Sequence, residues 1–569
     1  MAVVFMAELS LKNSLPPEGA TPSNEIARTY NIYELYIGEY PSYATYWTNW
    51  GGWYDNPVSK KVEIYFGIFL VPVTSLDDLK STVNALFIDN DYAYINLPIH
   101  PWLYNDSRTM LRVTKGYLSA PPDPLHPDNL IINNKSLECR LEIPSITAKL
   151  SDALAGLVKY SSFSFTLINN DGKFDSVATE EYFNSPAYIY KAWKDKPEYT
   201  DFIPLRYGII ESVSANDTSF TIECADKHRT LEEKVCKIID ADTFPFSINT
   251  EIYGKELPVV YGTVEIELIS LSEKKDTDNP LSERKYAIAE KVNAVYGVYD
   301  KDDKIIAGYT ADYAIGVITV TEIKEEKVRE AKWARISGYS EIRIGMIITD
   351  IIERKAGLLY NNTNYDTAEA QVYRTGSPQI NIALKSGNVK SAVNEVLKSD
   401  MAFLIQKNDG RFSMRRWGNQ YDVHSVPSFM VTQKIERDFK EAAQRYFSSC
   451  VIAYAYNERT KTPERFFAYS EMEEKAEEYY HKLKTETFET RLTTESNART
   501  LALRVSSRFS VIKDTVKLAI GLDTSAWNLL DTVNMAMVVN GREYSTHKKW
   551  IIKELDNAQD KITLEALDG

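Results

Sequence analysis

Hydrophobic and polar residues alternate with a period of two along many short stretches of this chain. Phe163, Phe165 and Leu167 alternate with hydroxyl residues, the pattern of a strand with one buried face. Similar runs predict further strands at 62–66, 92–96, 137–142, 205–213, 219–224, 295–299, 304–308, 317–320, 515–521, 532–538, 549–554 and 561–565. Short, closely spaced strands separated by turns are typical of sandwiches and barrels. The pattern therefore predicts a mainly β chain.

A helical period replaces this alternation in four places. Isoleucines recur at three- and four-residue spacing in 341–355, and Gly357 follows where a helix could end. A second helix is predicted at 389–399 with Asn388 as its N-cap. The capping-box pair Ser470 and Glu473 predicts a short acidic helix to about residue 483, with a solvated outer face. The fourth helix is predicted at 497–507.

The phrase Asn-Asp-Gly, followed by a basic residue and Phe, occurs at 170–174 and again at 408–412. These residue types tolerate a left-handed backbone, so both phrases predict hairpin turns. The first lies in an all-β run and the second follows an amphipathic helix. Common hairpin usage explains the echo without further assumptions. The alternative is that both turns belong to one known kind of assembly, in different modules of it.

Breaks in these patterns divide the 569 residues into five regions. Residues 1–128 are predicted to form an aromatic-rich N-terminal β domain, closed by a Pro-rich linker or long loop at 101–128. The later regions are a first β-barrel at 129–245, a β-rich inserted domain at 246–340, a small α/β module at 341–420 and a second β-barrel with helices at 421–569. The predicted fold class is thus mainly β with α+β insertions.

Composition narrows the classes of function. The hydrophobic content of 44% allows substantial cores, and the 37 tyrosines favour strands and interfaces. A net charge of −14 argues against a surface that binds nucleic acid, but it suits a surface past which DNA slides without sticking. No window is apolar enough for a membrane span, and the N-terminus lacks the basic region of a signal peptide. We therefore expect folding in a cytoplasm.

The sequence contains few candidates for a chemical site. The four cysteines (139, 224, 236 and 450) show no metal or disulfide spacing, so buried free thiols are expected. The six isolated histidines (100, 126, 228, 424, 481 and 547) are interpreted as structural. The acidic turns at 169–172 and 300–303 lack the spacing of a calcium loop and are interpreted as hairpin turns. No catalytic motif is present, so no catalytic residue, cofactor or metal is predicted, and the chain is not expected to be an enzyme.

An aromatic tract at 30–54 contains the candidate contact residues Tyr43, Trp47, Trp50 and Trp53. Flat Trp and Tyr rings stack on sugars and also pack at protein interfaces. Three interpretations stay open: the core of a small β domain, a protein interface, or a sugar-binding site.

Four sequence phrases follow one another in a recognisable order. They are 161–175 with 205–213; Leu257-Pro258-Val259-Val260-Tyr261-Gly262; the helices at 341–355 and 388–399 with the turn at 408–410; and the helix at 497–507 with 518–521, Leu530-Asp531-Thr532-Val533 and a closing strand pair. Over roughly 130–569 this order resembles the central hub proteins of tailed-phage baseplates and tail tips. Relatives of that family occur in phage-like injection devices and gene transfer agents. The family commonly has Gly-Asp in the last phrase, whereas this chain has Leu530-Asp531.

The resemblance implies a structural protein at the tip of a virion tail. It implies a homotrimer with two tube-like barrels per subunit, which adapts a hexameric tail tube to a threefold tip and lines the channel used in genome ejection. The implied partners are a tail-tube or distal tail protein, a tape-measure protein, and tip or fibre proteins. DNA would pass through without specific binding. The alternatives are a receptor- or carbohydrate-binding tail protein that uses residues 30–54, and a multidomain β hydrolase on the same particle.

Overall fold

The fold is given by a computed structural model that describes most of the chain after residue 140 and isolated strands before it. The described residues are 3–12, 34–37, 62–66, 69–73, 93–96, 108–114, 130–132, 135–139, 141, 146–150, 155–160, 163–170, 172, 185–193, 202–245, 249–271, 283–324, 327–427, 431–438, 446–470, 483–510, 515–535, 537–539, 542–544, 549–557 and 560–567. The predicted mainly β class is confirmed. Among the described residues, no helix is both long and apolar enough to cross a membrane.

The strands are numbered in chain order. Those before residue 226 are β1 (Val3–Lys12), β2 (Glu34–Ile37), β3 (Val62–Phe66), β4 (Phe69–Val73), β5 (Ala93–Asn96), β6 (Arg108–Thr114), β7 (Leu130–Ile132), β8 (Lys135–Cys139), β9 (Ala148–Lys149), β10 (Gly156–Leu157), β11 (Lys159–Tyr160), β12 (Phe163–Ile168), β13 (Pro186–Trp193), β14 (Ile203–Ala215) and β15 (Ser219–Ala225). Those from 226 to 340 are β16 (Lys237–Ile238), β17 (Glu256–Leu257), β18 (Val259–Tyr261), β19 (Thr263–Glu267), β20 (Ile269–Ser270), β21 (Arg284–Ala287), β22 (Ala294–Tyr299), β23 (Ile305–Ile306), β24 (Tyr309–Asp312), β25 (Val317–Val320), β26 (Ile323–Lys324), β27 (Lys327–Val328) and β28 (Trp333–Ser337).

The remaining strands and the helices follow. The strands are β29 (Ile382–Leu384), β30 (Ala402–Gln406), β31 (Phe412–Arg416), β32 (Val423–Val426), β33 (Val431–Asp438), β34 (Ser449–Asn457), β35 (Thr462–Tyr469), β36 (Thr485–Glu489), β37 (Thr515–Ile520), β38 (Thr532–Met535), β39 (Met537–Val539), β40 (Arg542–Tyr544), β41 (Lys549–Asp556) and β42 (Lys561–Ala566). The helices are α1 (Ile344–Ala356), α2 (Thr367–Gly376), α3 (Val389–Lys398) and α4 (Glu495–Phe509), with short 3-10 helices at Lys227–Glu232 and Thr250–Ile252.

The first large sheet has eight strands in the order β12-β15-β14-β13-β1-β6-β8-β7. An isolated bridge joins Leu141, just after β8, to Leu167 on β12, so the two ends of the sheet approach each other as in a barrel. The alternation in β12 puts Phe163, Phe165 and Leu167 into its core. β12 pairs with β15, and the backbone N–H of Gly172 donates to the Asn169 carbonyl (3.0 Å) in the turn after it. The return strand of the hairpin predicted at 163–175 falls on 173–184, which lie outside the described residues.

The sheet crosses the proposed boundary at residue 128. β1 pairs antiparallel with β13 over seven positions, and β6 lies on the other side of β1. Residues 108–114 are therefore a strand inside the stretch that was predicted to be a linker. The boundary at 128 does not separate these strands, because their backbone hydrogen bonds join residues 3–12 and 108–114 to the first barrel. The predicted strands at 62–66 and 92–96 are present as β3 and β5, the second beginning one residue later than predicted.

A sandwich follows at 263–337. One sheet has the order β19-β28-β22-β23, the other β20-β21-β25-β24. Their facing residues share one core that includes Ile266, Tyr286, Ile318 and Ile336. This core explains the alternation seen in the sequence, since the other face of each sheet is left to polar residues.

A larger core joins the α/β module to the last sheet. Ile347 and Ile351 of α1, Val393 of α3, Phe403 of β30 and Leu564 of β42 all belong to it. The helix predicted at 341–355 is present as α1 with Gly357 in the left-handed region, and the helix at 389–399 is present as α3 with Asn388 as its N-cap. The boundary drawn at 420 therefore does not separate two cores.

The last large sheet follows the path β11-β9-β41-β42-β37-β33, and β38 joins it to β32. β9 and β11 come from residues 148–160, and β10 pairs in parallel with β30. This part of the predicted first barrel (129–245) is thus built into the C-terminal half of the chain. The predicted helix at 497–507 is present as α4 and packs on a separate sheet of order β35-β34-β36. Most of the predicted helix at 470–483 lies outside the described residues.

Candidate functional site

The sequence phrases that suggested a function lie where the modules of the chain meet. We therefore describe three such junctions as the candidate functional site: the hairpin β30–β31, the buried charges beside it, and the strand β18.

The second Asn-Asp-Gly phrase forms the turn of the β30–β31 hairpin. The backbone N–H of Lys407 donates to Arg411 (2.8 Å), and Gly410 adopts φ +83°. The amide of Asn408 donates to the carbonyls of Ser525 (2.8 Å) and Trp527 (3.1 Å), which precede the strand β38. The predicted hairpin is confirmed, and its tip holds the last sheet.

The opposite side of this hairpin rests on the first barrel. A Cβ on Gly410 would lie 2.5 Å from Cγ of Tyr207 on β14, so the backbone touches the tyrosine ring. The amide of Gln406 donates to the Tyr207 carbonyl (2.8 Å) and accepts from the Lys227 backbone N–H (2.7 Å). One hairpin thus joins the first barrel to the last sheet.

Lys227, in the 3-10 helix after the first barrel, also contacts the β30–β31 hairpin. Its ammonium donates to Oδ1 of Asn364 (3.0 Å) and to the carbonyl of Gly410 (3.3 Å), and it lies over the ring of Phe412. Burial lowers the pKa of Lys227 to about 8. The ammonium therefore makes polar contacts at the cost of desolvation, which suits a joint that holds one geometry.

A buried charge network lies at the base of the same hairpin. The guanidinium of Arg415, 0% exposed, contacts Glu369 on α2 (2.7 and 2.9 Å) and Asp531 before β38 (2.6 Å). Asp531 is also 0% exposed and its other oxygen lies 2.9 Å from Nε2 of His424. Such bidentate pairs fix geometry because the planar guanidinium matches two acceptors at once.

The electrostatics of Glu369 follow from these contacts. Burial alone would raise the pKa of Glu369, but the hydrogen bonds and charge of Arg415 outweigh it and lower the pKa to about 2. Lys407 adds a second cation, 3.2 Å from Oε1 of Glu369. Glu369 therefore stays ionised at neutral pH, and the network ties α2, β31 and β38 together.

Leu530 occupies the position before Asp531 where the hub family commonly has a glycine. Its φ is +69°, in the left-handed region that favours glycine, and its side chain is 0% exposed in the large core. The backbone at this position therefore keeps the conformation that a glycine adopts without strain. Asp531, the residue after it, accepts the Arg415 and Asn528 contacts.

The Pro-Val-Val-Tyr-Gly phrase forms the third junction. In β18, Val259 and Tyr261 point into the large core and Val260 into the sandwich core, so the strand is buried on both faces. The Tyr261 hydroxyl lies 2.6 Å from Asp350 and 2.6 Å from the Arg354 guanidinium, both on α1. The phrase thus joins the inserted sandwich to the α/β module.

Gly262 is required by a close approach. Its φ is +74°, and a Cβ there would lie 2.1 Å from Oδ1 of Asn381. The backbone of Gly262 also pairs with the segment before α1, donating to the Tyr339 carbonyl (3.1 Å). The glycine lets the chain turn from one core to the other within a single residue.

The other predicted sites have mixed outcomes. The aromatic residues Tyr43, Trp47, Trp50 and Trp53 lie outside the described residues. Cys224, Cys236 and Cys450 are buried free thiols, as predicted. Of the histidines, His228 contacts Asp226 and His424 contacts Asp531.

The turn at 300–303 is confirmed as a hairpin turn. One carboxylate oxygen of Asp300 accepts from the backbone N–H groups of Asp302 and Lys304, and the other binds Arg329 (2.6 Å). Hydrogen bonding from Arg329 lowers the pKa of Asp300 to about 2. Within the described part of the chain, no group of three or more His, Cys, Asp or Glu side chains could hold a metal ion.

Sequence reasoning missed the charge network and the helix α2 that supplies Glu369. A signal was available: Asp366 accepts from the backbone N–H of Glu369 as an N-cap, and an Asp followed three residues later by Glu marks a helix start. No sequence signal pairs Glu369 with Arg415, because the contact depends on how β31 packs against α2.

The comparisons with known proteins give likenesses only to solved structures, at low similarity. No family model matches the sequence, and no curated protein matches it. Among solved structures, it is similar to a 43 kDa tail protein of the prophage MuSo2 from Shewanella oneidensis (TM-score 0.37, 11% identity, 77% of this chain and 96% of the other). It is similar to a chain from the virion of a native gene transfer agent particle (0.41, 10%, 55% and 84%) and to a prophage tail protein from Listeria monocytogenes (0.32, 9%, 76% and 91%).

Proposed function

We propose that this protein is a structural hub at the distal end of a phage or phage-like tail, and that it works by geometry rather than by catalysis. In this role three copies form a ring that adapts a hexameric tail tube to a threefold tip and lines the channel. Its partners are then a tail-tube or distal tail protein, a tape-measure protein, and tip or fibre proteins.

The observation that carries the proposal is the pair of eight-stranded sheets in one chain, with the α/β module and the sandwich between them. The sequence resemblance implies two tube-like barrels per subunit, joined by an α/β module. The three junctions support the same reading, because the phrases that carry the resemblance hold these modules together.

Strand edges support the assembly of several copies. Along the described path of the last sheet, β11 and β33 each have one strand neighbour. An unpaired edge exposes backbone donors and acceptors, and pairing with another chain satisfies them. Closure of this sheet between subunits would produce a ring without exposed edges.

The charge of the chain is consistent with a channel for DNA. A net charge of −14 disfavours the phosphate contacts that hold DNA in place. A wall that repels phosphates lets the genome pass without binding it.

Measurement of assembly tests the proposal. The full chain is analysed by light scattering after size exclusion over a range of concentrations, alone and with a tail-tube protein from the same genome. We expect trimers, or rings that form when tube protein is added, and electron micrographs with the ring at one end of each tube. Tube protein alone is the control.

A chain that stays monomeric at every concentration and never attaches to tubes contradicts the hub function. The gene neighbourhood gives an independent readout. A tape-measure gene upstream and fibre genes downstream are expected, whereas neighbours that encode metabolic enzymes contradict the proposal.

A further inference from the structure

A polar cleft of about 290 Å³ opens between the sandwich and the β34–β35 hairpin. Its walls come from segments that are far apart in sequence: β19 and β28 on one side, Tyr456 to Glu464 on the other, with Asn381 and Thr493 between them. This volume is close to the lower end of the roughly 300–1,000 Å³ range of small-molecule sites. The cleft is therefore sized for one small ligand.

Arg335 is the cation that this cleft offers to a ligand. It lies on β28 directly across from Glu265 on β19, on the outer face of the sandwich, since Val264 and Ile336 beside them enter the core. Arg335 is exposed, and no ion pair is found for it among the described residues. The Glu265 carboxylate is instead 3.8 Å from Arg459.

The opposite wall offers acceptors and an amide. Nδ2 of Asn457 donates to Oε1 of Glu464 (2.8 Å), and both residues line the cleft, with Glu464 exposed. Tyr456 is held by the Arg491 guanidinium, 3.4 Å from the ring centroid. This wall therefore presents groups that pair with hydroxyls.

One residue that lines the cleft is buried and paired with two cations. Glu458 is only 6% exposed, and its carboxylate lies 3.2 Å from Lys385 and 3.4 Å from Arg491. Oδ1 of Asn381 accepts from the Thr263 backbone N–H (3.3 Å), beside the Gly262 turn described above. A site held in this way loses little conformational freedom when a ligand binds.

We propose that this cleft binds an acidic monosaccharide unit, with the sugar carboxylate on Arg335 and the ring hydroxyls on the Asn457–Glu464 pair and Asn381. A guanidinium pairs with a carboxylate through two parallel hydrogen bonds, and a mixture of amide and carboxylate groups suits a ligand rich in hydroxyls. A protein segment is a poorer fit, because protein hot spots need an apolar anchor and Val264, Ala455 and Tyr456 are the apolar lining. This site is separate from the aromatic tract at 30–54 and does not depend on the proposed hub function.

Ligand-observed NMR and calorimetry on the full chain test the proposal, with glucuronic acid as the acidic probe and glucose as its neutral match. We expect glucuronic acid to bind at least ten-fold more tightly than glucose, and R335Q to remove that difference. R335K keeps the charge but not the fork of donors, so we expect part of the preference to remain. R499Q, an exposed change on α4, is the control and leaves binding unchanged.

Binding of a uronic-acid polysaccharide is measured alongside binding of the monosaccharide. The comparison distinguishes a cleft that binds a sugar unit of a polymer from one that binds only the free monosaccharide. Equal binding of the acidic and neutral sugars overturns the proposal. So does a preference for glucuronic acid that survives R335Q, since the carboxylate would then be bound elsewhere. Circular dichroism of each variant establishes that the fold is retained.

Discussion

Nζ of Lys191 lies 2.6 Å from Oδ2 of Asp560, although the two residues are 369 positions apart. Lys191 is on β13 of the first barrel and is 0% exposed, and Asp560 lies in the turn between β41 and β42. The carboxylate also accepts from the backbone and hydroxyl of Thr524. Burial raises the pKa of Asp560, while the charge of Lys191 opposes that shift. This pair therefore fastens the first barrel to the last sheet.

Lys191→Met is expected to destabilise the junction strongly. The substitution keeps the apolar stem but leaves Asp560 buried without its cation, which costs about 3–5 kcal/mol. The midpoint of the first unfolding transition in urea, followed by circular dichroism, measures the loss. Adding Asp560→Asn should restore part of the stability, because the uncompensated charge is removed.

The matched control for this prediction is Lys390→Met. Lys390 pairs with Glu232 at 3.0 Å, but both side chains are about half exposed. Loss of such a pair changes the free energy of unfolding by about 1 kcal/mol or less. Equal effects of the two lysine substitutions would show that the buried pair does not hold the sheets together.

Glu369→Gln is expected to change the pH dependence of stability. The pKa of Glu369 is lowered to about 2 in the folded protein, below its value near 4.3 in an unfolded chain. The carboxylate therefore stabilises the fold above pH 4.3, and this contribution is lost as the pH falls towards 2. At pH 6 the free energy of unfolding of the wild type should be roughly 3 kcal/mol larger than that of the variant.

Urea denaturation at pH values between 6 and 2.5 measures this difference, which should shrink steadily as the pH is lowered. Glu486→Gln serves as the control, because Glu486 is an exposed carboxylate beside Lys484. A difference for Glu369→Gln that does not vary with pH would mean that the Arg415 contact does not stabilise the ionised form.

Gly410→Ala, compared with Gly418→Ala, tests the contact between the β30–β31 hairpin and Tyr207 of the first barrel. Both glycines adopt φ +83°, so each alanine pays a similar backbone cost of about 1 kcal/mol. At Gly418 nothing lies within 4 Å of the added Cβ, whereas at Gly410 the Tyr207 ring lies 2.5 Å away. We expect an extra loss of about 1–3 kcal/mol at Gly410 from overpacking.

Thermal or urea unfolding of both variants measures the comparison. In the double variant Gly410→Ala/Tyr207→Ala, removal of the ring should bring the penalty at position 410 close to that at 418. If the two single glycine variants lose equal stability, then the backbone of Gly410 does not touch Tyr207 in solution.

Leu530→Gly should destabilise the protein despite relieving the backbone. The left-handed φ of Leu530 costs about 1 kcal/mol that glycine avoids, but removal of a fully buried leucine costs about 2–5 kcal/mol. The net loss is expected to be about 1–4 kcal/mol, measured by urea unfolding. The control is Leu359→Gly, because Leu359 is exposed and lies outside the helices. A gain in stability at 530 would show that the side chain is poorly packed.

Local patterns in the sequence determined many of the elements. The isoleucine spacing of α1, the Asn388 cap of α3 and the alternation in β12 each act over fewer than ten residues, and all three are present. Asn-Asp-Gly at 408–410 gave a hairpin because its backbone requirement is local. The helix α2 was not predicted, although its N-cap Asp366 and the Glu369 that follows are an equally local pattern.

Only the tertiary structure decided which strands share a sheet and which charges meet. β12 pairs with β15 and not with β13, the next described strand, and β9 joins β41 across some 400 residues of chain. The Lys191–Asp560 and Glu369–Arg415 contacts have no sequence signature, because long-range pairs depend on the packing of whole modules. Backbone preference acts between neighbours in the chain, whereas sheets and buried ion pairs form between neighbours in space.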